Sequence, residues 1–287
     1  MQIDLAPNHK HGLVAANPIW LAGGAAGYGE AAPKGLDFSL LGGVVIGPLL
    51  GGSRGGAPLP RLAHVSGGIV FDTGLQNRGV ASAIKQYGRL WSRLGCPVVA
   101  QLADTHPATL DKVVVKLSES EGLSGFELLV PPDADANLVT TLVRAAARRS
   151  DLPLWVKLPL ATAPDLAKVA VDAGAAGIVV GQAMPGAAIR TQSDGETHIV
   201  RGALLGPLAF PPMLEVLIRV TALKLPIALL ACGGIHTIDQ VNQALAAGAQ
   251  AVQIDSAVWV EPGLPNRLAV AMASTQTAPS AERARDR

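Results

Sequence analysis

The residue with the strongest chemical claim is a lysine inside an apolar run. Lys157 lies in Leu152–Pro159, LPLWVKLP, a setting that ordinarily excludes a solvated ammonium. A buried ammonium needs an anionic or hydrogen-bonding partner. A ligand oxygen or an electron-rich ring would serve, and so would a structural ion pair with Glu127 on the preceding strand. Gln182, after a later strand, either donates its amide to the same ligand or is an ordinary loop residue. Asp104 and His106, in QLADTHP, pair an acid with an imidazole at the end of another apolar run. That spacing suits a general acid/base pair, and it equally suits a helix N-cap.

A second constellation lies in Ile227–Ser256. Here an apolar run stops at Gly233-Gly234, a helical segment follows, and a second run ends at Asp255-Ser256. Glycines between strand and helix let backbone N–H groups approach a ligand closely, and a helix start adds a positive dipole end, so phosphate is the natural guest. The same glycines also serve as simple turn residues. Asp255 opposes a phosphate cradle, because a carboxylate repels a dianion unless it turns away. Asp133 and Asp135, in PPDAD, read as turn and capping residues. Cys96 and Cys232 and the histidines His9, His11, His64, His198 and His236 show no metal-ligand spacing.

The elements that must position these groups follow a regular alternation. Apolar strand-like runs occur at Ile19–Ala22, Gly43–Ile46, Pro97–Leu102, Gly125–Val130, Leu154–Leu158, Gly177–Val180, Ile227–Cys232 and Ala251–Ile254. Helical spacing occupies Val80–Leu94, Pro107–Glu121, Ala136–Arg149, Ala163–Ala173, Pro212–Lys224 and Thr237–Ala247. This pattern predicts an α/β fold, a (β/α)8 TIM barrel, with an open doubly wound sheet as the alternative. Ile3–Asn17 reads as an N-terminal β-hairpin that plugs one end of the barrel. Two connections, Gly47–Gly79 and Ala183–Pro212, exceed what a barrel needs. The second carries an inserted hairpin after strand 6, with Asp194-Gly195 at its turn. Extra length after a strand predicts a lid or substrate wall. Residues 1–265 are expected to form one domain, with Thr275–Arg287 as a disordered tail.

Composition narrows the function classes. Of 287 residues, 49% are hydrophobic and 3% aromatic, which suits parallel strands covered by small-residue helices. A net charge of +1 gives no global electrostatic case for nucleic acid or an anionic membrane. Every apolar run is broken before the roughly 18–20 residues a spanning helix needs. The N-terminus lacks the long apolar core of a signal peptide, so a soluble cytoplasmic protein acting on a small molecule is expected.

Several segments also carry a family likeness. NPIWLAGGAAGYGE at Asn17–Glu30, GLQN at Gly74–Asn77, VKLP around Lys157, Gly206-Pro207 and ACGGI around Gly233 resemble the dihydroorotate dehydrogenase family, in the same order, over roughly residues 3 to 262. The resemblance implies an FMN-binding barrel, often a homodimer. It implies that Ala22, Gly23 and Gly24 back the flavin, that Lys157 meets its ring, and that Gly206, Gly233, Gly234 and Ser256 lie on its phosphate side; the ligand that Gln182 could contact would then be the flavin. The departures are equally specific. Pro48 or a neighbour replaces a strand-two lysine, and Asp255 replaces a glycine. Phe71 and Leu129 replace substrate-binding asparagines, and Pro131-Pro132 stands where the family has its catalytic cysteine or serine. Loss of those amides would leave a pyrimidine's polar groups unpaired. The sequence thus suggests an FMN-dependent oxidoreductase acting on another small molecule, with Lys157 and the Asp104–His106 pair as catalytic candidates. The alternative is a catalytically inactive homologue kept as a binding or assembly subunit. There is no cysteine cluster for an iron–sulfur centre.

Overall fold

The computed structural model describes residues 2–32, 34–191 and 195–277. In chain order the strands are β1 (Ile3–Asp4), β2 (Val14–Ala15), β3 (Ile19–Leu21), β4 (Gly43–Leu49), β5 (Leu62–Val65), β6 (Gly68–Phe71), β7 (Val98–Leu102) and β8 (Gly125–Leu129). They continue as β9 (Leu154–Pro159), β10 (Gly177–Gln182), β11 (Pro185–Thr191), β12 (Thr197–Leu205), β13 (Ala228–Cys232) and β14 (Ala251–Ile254). Eight of them, β3, β4, β7, β8, β9, β10, β13 and β14, close in parallel into a barrel. Each falls on a run predicted as a strand, and the open sheet is excluded.

Helices α1 (Val80–Trp91), α2 (Pro107–Ser118), α3 (Ala136–Ala147), α4 (Ala163–Ala173), α5 (Phe210–Thr221) and α6 (Ile238–Ala246) surround the barrel, followed by α7 (Ala257–Val260) and α8 (Leu264–Thr277). Asp135 caps α3, its carboxylate accepting from the Leu138 N–H at 2.7 Å, as its position in the sequence suggests. No α-helix joins β3 to β4 among the described residues; a single 3-10 turn, Phe38–Leu40, stands there. The intervening sequence is rich in glycine, and Gly24, Gly27, Gly29 and Gly35 all adopt positive φ, so helix is disfavoured. Helix α8 extends three residues into the stretch read as tail, and the rest of that stretch lies outside the described residues.

The barrel interior has two levels. On β9 the inward positions are Trp155 and, two residues on, Lys157. The lower level is apolar: Trp20, Val45, Val99, Trp155, Val179, Leu230 and Ala251 pack with Leu5, Leu13 and Ala15 of the β1–β2 hairpin. Trp20 and Trp155 meet edge to face at 5.0 Å, and the Trp155 indole N–H donates to the Leu5 carbonyl at 2.9 Å. The hairpin therefore plugs this end, as expected. A larger apolar shell lies between strands and helices.

The two long connections do not form separate flaps. β5 and β6 from the first join β11 and β12 from the second in one antiparallel sheet, ordered β11-β12-β6-β5, with a small core of Ala63, Val70 and Val200. The predicted hairpin is β11–β12, paired from Pro185↔Ala203 to Thr191↔Thr197. Residue 194 of its predicted turn lies outside the described residues.

Candidate functional site

Above the apolar plug the interior turns polar. Gln101 on β7, Glu127 on β8, Lys157 on β9, Cys232 on β13 and Gln253 on β14 are all buried. Parallel register brings Gln101 level with Glu127, and Cys232 level with Gln253. The Gln101 amide donates to Glu127 Oε1 at 2.8 Å, and the Gln253 amide donates to Glu127 Oε2 at 2.5 Å. Lys157 Nζ then donates to Gln253 Oε1 at 2.9 Å and contacts Cys232 Sγ at 3.2 Å, with Glu127 Oε1 3.8 Å away. Lys157 is therefore ion-paired to Glu127, one of the two alternatives, and it also lines the open cleft.

Burial alone would discharge the ammonium, but the surrounding electronegative groups, Glu127 among them, outweigh it and hold Lys157 above the ordinary lysine range. Cys232 moves the other way from reactivity. Burial pushes its thiol up to about 12 despite the neighbouring ammonium, so it stays protonated and Glu127 is the anion that balances Lys157.

This polar layer floors a cleft of about 1500 Å³ at the carboxyl ends of the strands, where barrel enzymes carry their chemistry. Gly23, Gly24, Lys157 and Gln182 line it, as the sequence suggested. Gly23 has no room for a side chain, because a Cβ would fall 2.4 Å from Gln101 Nε2. Ala22 is fully buried behind them, its N–H bonded to the Ile254 carbonyl at 2.9 Å. Gln182 Oε1 is buried with no partner, an unmet acceptor beside the cleft. Gly206, Gly233, Gly234 and Ser256 instead line a small annex of about 10 Å³ that also touches Asp255.

The structure does not bring Asp104 and His106 into the cleft; only Thr105 between them lines it. Asp104 accepts the Gly51 N–H at 2.9 Å and ties down the loop after β4. Its carboxyl is raised by burial, partly offset by that hydrogen bond and by Arg54. His106 occupies the N-cap position of α2 without a side-chain capping bond. Sequence reasoning missed Gln101 and Gln253, although each is a polar residue within a predicted apolar strand, the same signal that exposed Lys157. It also missed Arg54, Arg61 and Arg201, which line the cleft without an ion pair among the described residues, and Trp259, edge to face with Phe71 at 6.0 Å. The substituted positions Phe71, Leu129, Pro131 and Pro132 all line the same cleft, making that wall apolar.

For a flavin, the two ends of the site differ. The wide end fits a ring system, offering Lys157, the Gln182 acceptor and the open backbone at Gly24. The annex does not fit a phosphate dianion, because it is small and carries the Asp255 carboxyl.

The sequence profile of the family described as "Dihydroorotate dehydrogenase" matches residues 8–273. A similar protein is the "Dihydroorotate dehydrogenase B (NAD(+)), catalytic subunit" of Exiguobacterium sibiricum, 30% identical over 264 residues, covering 88% of this chain and 85% of the relative. The protein of the same description from Endomicrobium trichonymphae is 31% identical over 272 residues, covering 91% and 88%. A crystal structure of a dihydroorotate dehydrogenase from Eimeria tenella, in complex with ferulenol, superposes with a TM-score of 0.75 at 16% identity, over 94% of this chain and 82% of that one. With its barrel, its cleft and a family match running nearly end to end, the chain belongs to the dihydroorotate dehydrogenase family.

Proposed function

We propose that this protein is a flavin-dependent oxidoreductase whose substrate is a small molecule other than dihydroorotate. The observation that carries the reading is Lys157: a charged ammonium, held by Glu127 and Gln253, at the floor of a wide cleft in a member of this family. A bound flavin supplies hydride exchange. The chain itself supplies a fixed positive charge at Lys157 to stabilise negative charge on a reduced ring and an amide acceptor at Gln182.

Substrate preference follows from the cleft lining. Phe71, Leu129, Pro131 and Pro132 offer no amide to a pyrimidine, whereas Arg54, Arg61 and Arg201 offer three cations. Arg61 is fixed by its contact with Gln76 at 3.0 Å and lies over the Phe71 ring. An apolar body bearing an acidic group suits this lining. The site is read as part of a homodimer in the cytoplasm, in keeping with the family resemblance. Among the described residues no helix is long and apolar enough to cross a membrane.

The test is reconstitution. Purified protein mixed with flavin should show a perturbed visible flavin spectrum, and Lys157→Ala should weaken binding at least tenfold. Protein that takes up no flavin would sink the reading. A second reading, a non-catalytic binding or assembly subunit, is favoured by Pro131-Pro132 at the proton-transfer position. Isolation with a stoichiometric partner, without flavin and without turnover, would favour it.

A further inference from the structure

The annex at the exits of β13 and β14 has an unusual set of polar requirements. The backbone N–H groups of Gly206, Gly233, Gly234 and Ser256 donate to no acceptor among the described residues. Glycine is required at position 234, where φ is +69° and a Cβ would lie 2.2 Å from the Phe210 nitrogen. These donors need an acceptor. The Asp255 carboxylate, half-buried where the annex meets the main cleft, accepts no hydrogen bond among the described residues and is open to a donor from the cleft.

A phosphate dianion can only accept. It would satisfy the N–H groups while setting its charge against Asp255, in an annex of about 10 Å³, the space of one water-sized oxygen. A hydroxyl donates as well as accepts, so it meets Asp255 together with up to two of the four N–H groups, and it is the size of the space available. Lys157 and His236 favour the ionised Asp255, whereas burial and Glu127 oppose it. No arginine lines the annex to offset a phosphate.

We infer that this end of the site takes an uncharged hydroxyl, so that the flavin accepted by this chain is one with an unphosphorylated ribityl chain, riboflavin in preference to FMN. This rests on the flavin reading above. Asp255 is the specificity-determining residue, and the ribityl terminal hydroxyl would donate to it while accepting from up to two of the annex N–H groups.

The experiment is a calorimetric titration of the flavin-free chain with riboflavin and with FMN, at pH 8 and fixed ionic strength, for the wild type, Asp255→Gly and Asp255→Asn. Circular dichroism checks that each variant folds; the near-isosteric Asp255→Asn keeps the test alive if Asp255→Gly does not. Wild type should bind riboflavin at least tenfold tighter than FMN, and both variants should shift the ratio at least tenfold toward FMN. Wild type that binds FMN as tightly as or more tightly than riboflavin would overturn the inference while leaving the flavin reading standing. An unchanged ratio across the three proteins would overturn it as well. If no variant binds either flavin, the flavin reading falls and takes this inference with it.

Discussion

The two levels of the barrel interior solve the same problem with opposite chemistry. Below, Trp155 is closed over by Leu5 and Leu13, and its lone polar atom is satisfied by the Leu5 carbonyl. Two residues along the same strand, Lys157 needs Gln253, Glu127 and, through Glu127, Gln101 before it can be buried. The lower level gains from the apolar surface it removes from water, at the cost of one unpartnered polar atom, the Trp20 indole N–H. The upper level spends much of its interaction energy on desolvation and leaves a charged group facing a cleft, which is of use only if something binds there.

The largest effect should come from breaking the plug. Trp155→Ala removes the edge-to-face contact with Trp20, opens a cavity and leaves the Leu5 carbonyl unpaired. It should cost about 5 kcal/mol of stability in urea unfolding. A loss under about 2 kcal/mol would mean that the hairpin is a dispensable cap.

A smaller but more informative effect is expected above. Glu127→Gln leaves the Lys157 ammonium without its anion and should cost about 3 kcal/mol. Adding Lys157→Met should restore part of that loss, because the unpaired charge is gone. The double variant should therefore lie well above the sum of the single losses. Additive losses would show that the two levels do not differ in kind. The raised Lys157 contributes stability that is fully present below the ordinary lysine pKa and is lost only as pH climbs through its higher folded value, so the cycle is read near neutral pH.

This contrast also explains what could be seen in the sequence. The eight strands were legible because burial on both faces leaves continuous apolar runs, and a polar residue inside such a run, as in LPLWVKLP, marks the interior face. The same logic, applied to Gln101 in VVAQL and Gln253 in AVQI, would have found the whole polar layer. Asp104 and His106 misled because adjacency in sequence does not fix direction: the first turns to the Gly51 N–H and the second to a helix start. The joint sheet of β5, β6, β11 and β12 was out of reach, since pairing between loops so far apart in the chain leaves no local pattern; Phe71↔Ala203, 132 residues apart, is the nearest such pair. Arg54 and Arg201 were hidden for the same reason, because only that sheet and its loops bring them to one cleft.

The smallest effect concerns the charge at the junction of the annex and the cleft. Partial burial at the cleft margin raises the Asp255 carboxyl above its ordinary value, opposed chiefly by Lys157. A carboxyl raised in the folded state binds protons there more readily than in the unfolded chain. Stability therefore falls as pH rises from the ordinary carboxylate value through the folded one, and above both it carries a constant penalty. Asp255→Asn removes that decline. The variant should unfold at higher urea than the wild type near neutral pH, and the two midpoints should converge as pH falls below the ordinary carboxylate range. A wild type that is more stable than Asp255→Asn at neutral pH would show that Lys157 attracts this carboxylate more strongly than burial penalises it. Asp255 would then belong with Glu127 as part of the lysine's support, and the polar layer would extend two residues past Gln253, just beyond the end of β14, to the rim.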